Sequence, residues 1–240
     1  MAGSSSRVVA HVVIGLALIA SAAVVAWGMR DAVSAFRGYE RSVTVKGLSE
    51  REVAADIAIW PLSFNEVGDE LAPIVEALKR KNARLVQWLL ERGFEAGEIS
   101  ISSPAIVDRY AQGYVDQNRV SRYSALSSVT VYTPKVEQVL ASMTEVLELG
   151  SEGIAIGSQD FNRRTEFLFL SLNELKPAMV EEATRNAREV AEKFAADSGS
   201  RLGKIKRASQ GQFSISDRDS NTPQVKRVRV VSTVEYYLAD

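Results

Sequence analysis

FLFLSLNELKPAMVEEATRNAREVAEKFAADSGSRLGKIKRAS, running from Phe167 to Ser209, decides the fold. Thr165–Leu172 (TEFLFLSL) is an apolar run short enough for a strand. Glu174–Ser198 follows as an Ala-rich helix. Met179, Ala183, Ala187, Val190, Ala191 and Phe194 recur at three- and four-residue spacing and face inward. Gly199 stops the helix, and Leu202 opens a new strand. A strand, one long helix and a returning strand place a helical layer on a sheet.

Working outward, Leu202–Ile215 and Lys226–Leu238 are the last two strands, joined by the polar loop DRDSNT. Upstream, Ser42–Lys46 (SVTVK) alternates as a strand and ends at Gly47. Ala54–Phe64 is a second strand; its Pro61 cannot donate to a ladder, which makes that part an edge or a bulge. Glu70–Arg92 is a helix with Leu71, Ile74, Val75, Leu78, Leu85, Val86, Leu89 and Leu90 on one face, stopped by Gly93. Ile99–Val107 and Val120–Thr133 form a long hairpin with a polar tip around Gln112–Arg119. Thr133-Pro134 then opens a helix, threonine as N-cap and proline in the first turn. Its buried stripe is Val136, Val139, Leu140, Met143, Val146 and Leu147, and Gly150 ends it. The fold class is α+β: two-layer sandwiches of mostly antiparallel sheet with three packed helices, preceded by one N-terminal transmembrane helix.

That first helix is the run from Val8 to Trp27 between Arg7 and Arg30, 20 residues without Asp, Glu, Lys or Arg. As a helix it is roughly 30 Å long, the thickness of a bilayer's hydrocarbon core. Trp27 and Arg30 suit its interfacial edge. Residues 1–30 therefore read as an anchor. The alternative is a cleaved signal peptide with Ala20-Ser21-Ala22 as its site. Residues 31–41 are a linker and 42–240 the main domain, either one unit or two α+β subdomains with the middle one near 98–174. His11, the only histidine, lies within the run, and His11, Gly15, Ala22 and Ala26 share one helical face suited to close packing in lipid.

Without residues 1–30, 27 basic residues face 30 acidic ones, which argues against a nucleic-acid partner. The chain has no cysteine, which removes disulfides and thiolate metal sites. With one histidine in the apolar run, the commonest nucleophile–base pairs are missing. No glycine-rich phosphate loop or nucleophile elbow occurs. The residues therefore point to no catalytic site, cofactor or metal, and to a non-enzyme; a carboxylate-only or Ser-Lys enzyme is left open. Asp56, in an otherwise apolar stretch, reads either as a buried acid with a raised pKa or as a carboxylate facing solvent or a turn. Glu181-Glu182 and Glu189/Glu192/Lys193 read as a solvated helix face. Arg163-Arg164 and Lys204/Lys206/Arg207 are surface charge, or contacts to anionic headgroups or a partner.

Taken together, SVTVKGLSEREVAADIAI, LLERGFEAGEISIS, YSALSSVTVY, the opening stretch above and VRVVSTVEYYL resemble the SIMPL-domain family in order, from Arg41 to Leu238; Gly47 matches its glycine turn and Asp56 its acidic residue before an apolar strand. Lys46 and Leu48 beside Gly47, and WPLSFNEVG, depart from its usual pattern. The resemblance implies export to the periplasm or envelope of a bacterium, and for some members ring-like oligomers with a channel-like appearance. Proposed family roles lie in stress tolerance and signalling. It implies no enzymatic activity and no cofactor. The expected protein is a single-pass inner-membrane protein with its C-terminal domain in the periplasm. It would self-assemble into a large, ring-like oligomer with a scaffolding role. The expected partners are the lipid bilayer, further copies of the chain and an envelope protein, with subunit contacts at Gln112, Gly113, Tyr114 and Pro61. The alternative is a periplasmic binding module for a small ligand or an envelope partner.

Overall fold

The chain's elements are β1 (Ser42–Ala54), β2 (Ile57–Gly68), α1 (Leu71–Glu91), β3 (Ile99–Ile101), β4 (Ala105–Asp108), β5 (Tyr123–Thr133), α2 (Val136–Glu145), α3 (Glu148–Ser151), β6 (Glu166–Leu168), α4 (Leu172–Asp197), β7 (Arg201–Gln210), β8 (Ser214–Asp217) and β9 (Val225–Ala239). The structure, a computed structural model, describes residues 15, 19, 21–29, 41–112, 121–157 and 164–239. It is α+β, with strands in the orders β1-β9-β7, where β8 also pairs β9, and β3-β5-β2-β6, where β4 also pairs β5. The paired strands run antiparallel. Two compact units emerge, one from Met1–Glu50, Pro177–Phe213 and Arg229–Asp240, the other from Arg51–Lys176 and Ser214–Val228.

In the first unit the alanine face of α4 closes on β1 and β9. Ala183, Ala187, Ala191 and Ala195 are buried at every fourth position. Ala187 and Ala191 pack with Val45, Val234 and Tyr236, and Val43 and Leu202 lean on that cluster. Gly47 makes the approach possible: a Cβ there would sit 1.8 Å from the Ala183 carbonyl oxygen. The expected end of β1 at Gly47 is therefore corrected. The strand runs straight through it, and the glycine is there because α4's backbone occupies the space of a side chain. Val190 and Phe194, expected inside, are exposed, since each lies one residue before an alanine of the stripe and so on the flank of the buried face.

In the second unit β2 and β5 pair along eleven residues, from Ala58↔Thr133 to Gly68↔Tyr123. Their shared face carries Ala58, Trp60, Leu62, Phe64, Ala125, Val129 and Val131. These pack with Ile74, Leu78, Leu85, Trp88 and Leu89 of α1 and with Val139 of α2. Trp88 was absent from the expected stripe, and Leu71 and Leu90, expected in it, are exposed. At this end the pattern favours Trp88 over Leu90, because its ring meets Trp60 edge-on, with centroids 6.3 Å apart. The hairpin of β3 and β4 with β5 forms as expected; residues 113–120 at its tip lie outside the described residues.

Three boundaries also move. The run TEFLFLSL gives only the three residues of β6, and α4 starts at Leu172. The helix expected at Thr133-Pro134 begins at Val136, while Thr133 is still in β5 and accepts the Lys135 N–H at 3.1 Å. Gly150 does not end the helical stretch: α3 contains it, and the left-handed stop falls at Gly153, φ 78°. The inward stripe is Val139, Ser142, Val146 and Leu149; Met143 and Leu147 each lie one residue past it, which leaves Leu147 82% exposed and Met143 partly so.

Residues 21–29 are helical. Among the described residues no helix is long and apolar enough to cross a membrane, and most of the expected span, with Val8, His11 and Arg30, lies outside them.

Candidate functional site

Asp56 sits half-buried in the turn between β1 and β2. Its Oδ2 accepts the N–H groups of Leu170 at 2.6 Å and Ser171 at 2.8 Å. Those are the two residues before α4, so the carboxylate satisfies donors at a helix start from 114 residues away. This explains why TEFLFLSL stops being a strand after Leu168. Asp56 faces a turn, in a structural role.

The junction of β5 and α2 gathers a second polar cluster. Glu98 accepts the Thr133 hydroxyl at 2.6 Å, the Glu95 N–H at 2.7 Å and the Lys135 ammonium at 3.1 Å. Lys135 also donates to Glu95 and to the Gly93 carbonyl, both at 3.1 Å. Burial opposes ionisation of Glu98, but the three donors outweigh it and hold its carboxyl below the ordinary carboxylate range. Glu95 and Glu98 raise Lys135 above the ordinary lysine value. Beside this cluster an open groove of about 680 Å³ runs between Ala54-Ala55, Pro134–Gln138 and Gln224-Val225. Lys135, its one ammonium, is engaged in the cluster, and the groove also carries the Glu137 carboxylate beside apolar and amide surface.

Two arginines tie α1 to the helices after β5. Arg84 forms a bidentate pair with Glu152 at 2.6 and 2.7 Å. Arg92 reaches Glu145 at 2.8 Å and Glu148 at 2.7 Å, and its guanidinium stacks 3.7 Å from the centre of the Trp88 ring. No sequence motif announces these pairs; only the fold brings 84 to 152 and 92 to 145.

The face of the five-stranded sheet away from the α1–α2 core carries Ile57, Ile59, Pro61 and Val67 of β2 beside Leu126 and Tyr132 of β5, all partly or well exposed. Val67 is 53% and Tyr132 50% exposed. Among the described residues β6 pairs with Ile57–Ile59, so Pro61 falls beyond its ladder, and two residues further on the Ser63 carbonyl accepts the Gly157 N–H at 3.1 Å. The edge or bulge expected at Pro61 is therefore corrected: β2 lies between β5 and β6, and its register with β5 runs unbroken through Pro61↔Thr130. A shallow groove of about 320 Å³ opens there, lined by Ile59, Pro61, Ser102, Ser128, Thr130, Arg164 and Glu166.

Trp27, Ala22 and Ala26 lie in the helical residues 21–29 and are exposed; Gly15 is helical and half-buried. Gln112 ends a 3-10 turn, Tyr110–Gln112, after β4; Gly113 and Tyr114 lie outside the described residues, as does Arg163. The structure does not bring Pro61 and the expected hairpin residues into one described site. Glu182 departs from the expected solvated face by accepting the Ser49 hydroxyl at 3.0 Å. Glu192 does hold to it, pairing at the surface with Arg188. Lys204, Lys206 and Arg207 are exposed on β7. Among the described residues no three His, Cys, Asp or Glu come together as a metal site.

No curated protein matches the chain. A family model described as SIMPL, protein of unknown function (DUF541), matches residues 43–236. That match takes in well over half of the chain, from the start of β1 almost to the end of β9, and the chain belongs to the SIMPL family.

Proposed function

We propose that this chain is a membrane-tethered periplasmic protein whose SIMPL domain self-assembles into a large oligomer with a structural role in the envelope. The observation that carries this reading is the open sheet face of Ile57, Ile59, Pro61, Val67, Leu126 and Tyr132. These apolar side chains are interspersed on the same face with Ser63, Asn65, Ser124, Ser128 and Thr130, and mixed apolar and polar surface of this kind is the usual make-up of a protein–protein contact. The tether is the run from Val8 to Trp27, with the near-balanced flanking charges leaving its sidedness to the folded domain. A chain without cysteine folds in an oxidising compartment without disulfide chemistry.

The test is the mass of the full chain in mild detergent by light scattering, with negative-stain imaging. An assembly of many subunits is expected, and Tyr132→Glu or Val67→Glu should reduce it while leaving the far-ultraviolet circular dichroism unchanged. A clean monomer sinks self-assembly, and an assembly indifferent to both charges sinks the sheet face as its contact. A fusion of alkaline phosphatase to the C-terminus reports the side: an active fusion is expected, an inactive one overturns the periplasmic placement. The groove beside Pro134–Gln138 favours a second reading, a binding module for a small, largely apolar ligand. A monomer that gains thermal stability with envelope extracts would bring that reading forward.

A further inference from the structure

We propose that β7, with the last turn of α4, docks on an anionic lipid bilayer. Among the described residues β7 is an outer strand of its sheet, paired with β9, and every residue from Lys204 to Gln210 is exposed. Lys204, Lys206 and Arg207 fall within four consecutive positions, with Ile205 between them 50% exposed. Phe194, in the last turn of α4, is 55% exposed. No acid occurs between Asp197 and Asp217, whereas Arg201 adds a fourth basic residue. Lys206 is engaged by Glu235 at 2.9 Å, and Arg207 stands across the ladder from the same carboxylate and helps hold its pKa down; among the described residues Lys204 forms no ion pair. An outer strand carrying basic groups around an isoleucine, following a helix whose last turn exposes a phenylalanine, has the make-up of a segment that meets headgroups with charge and the interface with apolar side chains.

The position of the tether argues for a bilayer over another occupant. The chain enters the first unit at Arg41, whose carbonyl oxygen accepts the Leu238 N–H at 2.9 Å and whose Nη2 donates to the Ser200 hydroxyl at 3.0 Å. Leu238 pairs with Leu202 and Ala239 with Arg201 across β9 and β7. The entry point therefore lies beside the first residues of β7. Residues 31–40 separate it from Arg30, a reach of at most about 35 Å. Attraction between exposed charges and headgroups falls off within about 8 Å at physiological salt. On its own it is weak; a short tether holds the basic edge where it acts, at high effective concentration. The inference rests on the tethered reading above.

The test is hydrogen–deuterium exchange on the full chain in nanodiscs of phosphatidylcholine, alone or mixed with phosphatidylglycerol. Exchange in Arg201–Gln210 should slow at least about threefold with the anionic lipid at low salt and recover at high salt. Lys204→Gln with Arg207→Gln should abolish the difference and leave exchange in α1 unchanged. Equal exchange in the two lipids overturns the proposal. So does protection that follows protein concentration and ignores lipid charge, which is a second copy paired along β7. Failure of the tether shows separately, as a full chain extracted from membranes by alkaline carbonate. Co-sedimentation of that same chain then decides the surface: binding to phosphatidylglycerol vesicles and not to phosphatidylcholine ones supports it, and equal binding overturns it.

Discussion

Replacing Gly47 with alanine puts the close approach of β1 and α4 to the test. The added Cβ would meet the Ala183 carbonyl oxygen at 1.8 Å and the Ala187 nitrogen at 2.4 Å. A carbon–oxygen contact settles at about 3.3 Å, so strand and helix must separate locally by about 1.5 Å. Both obstructing atoms are helix backbone, and no side-chain rotation relieves them. Overpacking of this kind costs about 1–3 kcal/mol, and the rigid obstacle puts Gly47→Ala at the upper end. Against it stands the roughly 0.5–1 kcal/mol that alanine gains over glycine within a strand. The net loss is about 2 kcal/mol, or roughly 4–8 °C in Tm for a chain of this size. Thermal and urea unfolding of the full chain in detergent, followed by circular dichroism, measure it. Gly150→Ala is the control: its Cβ meets nothing within 4 Å, so Tm should hold or rise. Adding Ala183→Gly to Gly47→Ala should not restore stability, because the oxygen belongs to the backbone. A Gly47→Ala chain as stable as the parent, or a full rescue by Ala183→Gly, would refute the close-approach account.

Asp56→Ala leaves the Leu170 and Ser171 N–H groups without their acceptor. A loss of about 1–2 kcal/mol in urea unfolding is expected, with Asp56→Asn losing less; equal stability of Asp56→Ala and the parent removes the capping role. Glu98 is depressed in the folded state, so its stabilisation is complete above its ordinary value of about 4.3 and is lost as pH falls through the lower folded value. Glu98→Gln should therefore be less stable at neutral pH and show a flatter loss on acidification; urea midpoints between pH 3 and 7 decide, and parallel curves sink the assignment. Arg92→Ala uncovers the Trp88 ring and breaks the contacts to Glu145 and Glu148. Tryptophan fluorescence should shift to longer wavelength, and an unchanged spectrum would show that the guanidinium does not shield the indole.

The strand and helix content was legible because it rests on periodicity, which local sequence carries. The alanine repeat of α4, the hairpin into β5 and the alternation of β9 all follow from it. Errors gathered where a partner distant in sequence decides. TEFLFLSL has the composition of an eight-residue strand, yet Asp56 takes the N–H groups that a longer ladder would need. Gly47 has the signature of a turn, yet a helix more than 130 positions away fills the space of its missing side chain. Leu147 has the spacing of a buried residue, but the face that packs is the neighbouring one, Val139, Ser142, Val146 and Leu149. The open face of β2 and β5 was not legible: Pro61 suggested an edge or a bulge where β2 is an inner strand of unbroken register, and the exposure of Tyr132 depends on the register Ile59↔Tyr132.

The two associations proposed here use different surfaces, and that separation has a consequence. The open sheet face lies in the second unit, on β2 and β5, and the basic edge in the first, on β7. The two surfaces share no residue, so a charge placed on one tests it without altering the other. Tethering also changes the energetics of assembly, because chains confined to a membrane meet at far higher effective concentration than free ones. A sheet face too weak to hold an oligomer in dilute solution then suffices at the membrane. Assembly of the full chain in bilayers should accordingly persist at dilutions where the detergent-solubilised chain dissociates. Equal dissociation in both media would mean that the anchor adds nothing to assembly beyond location.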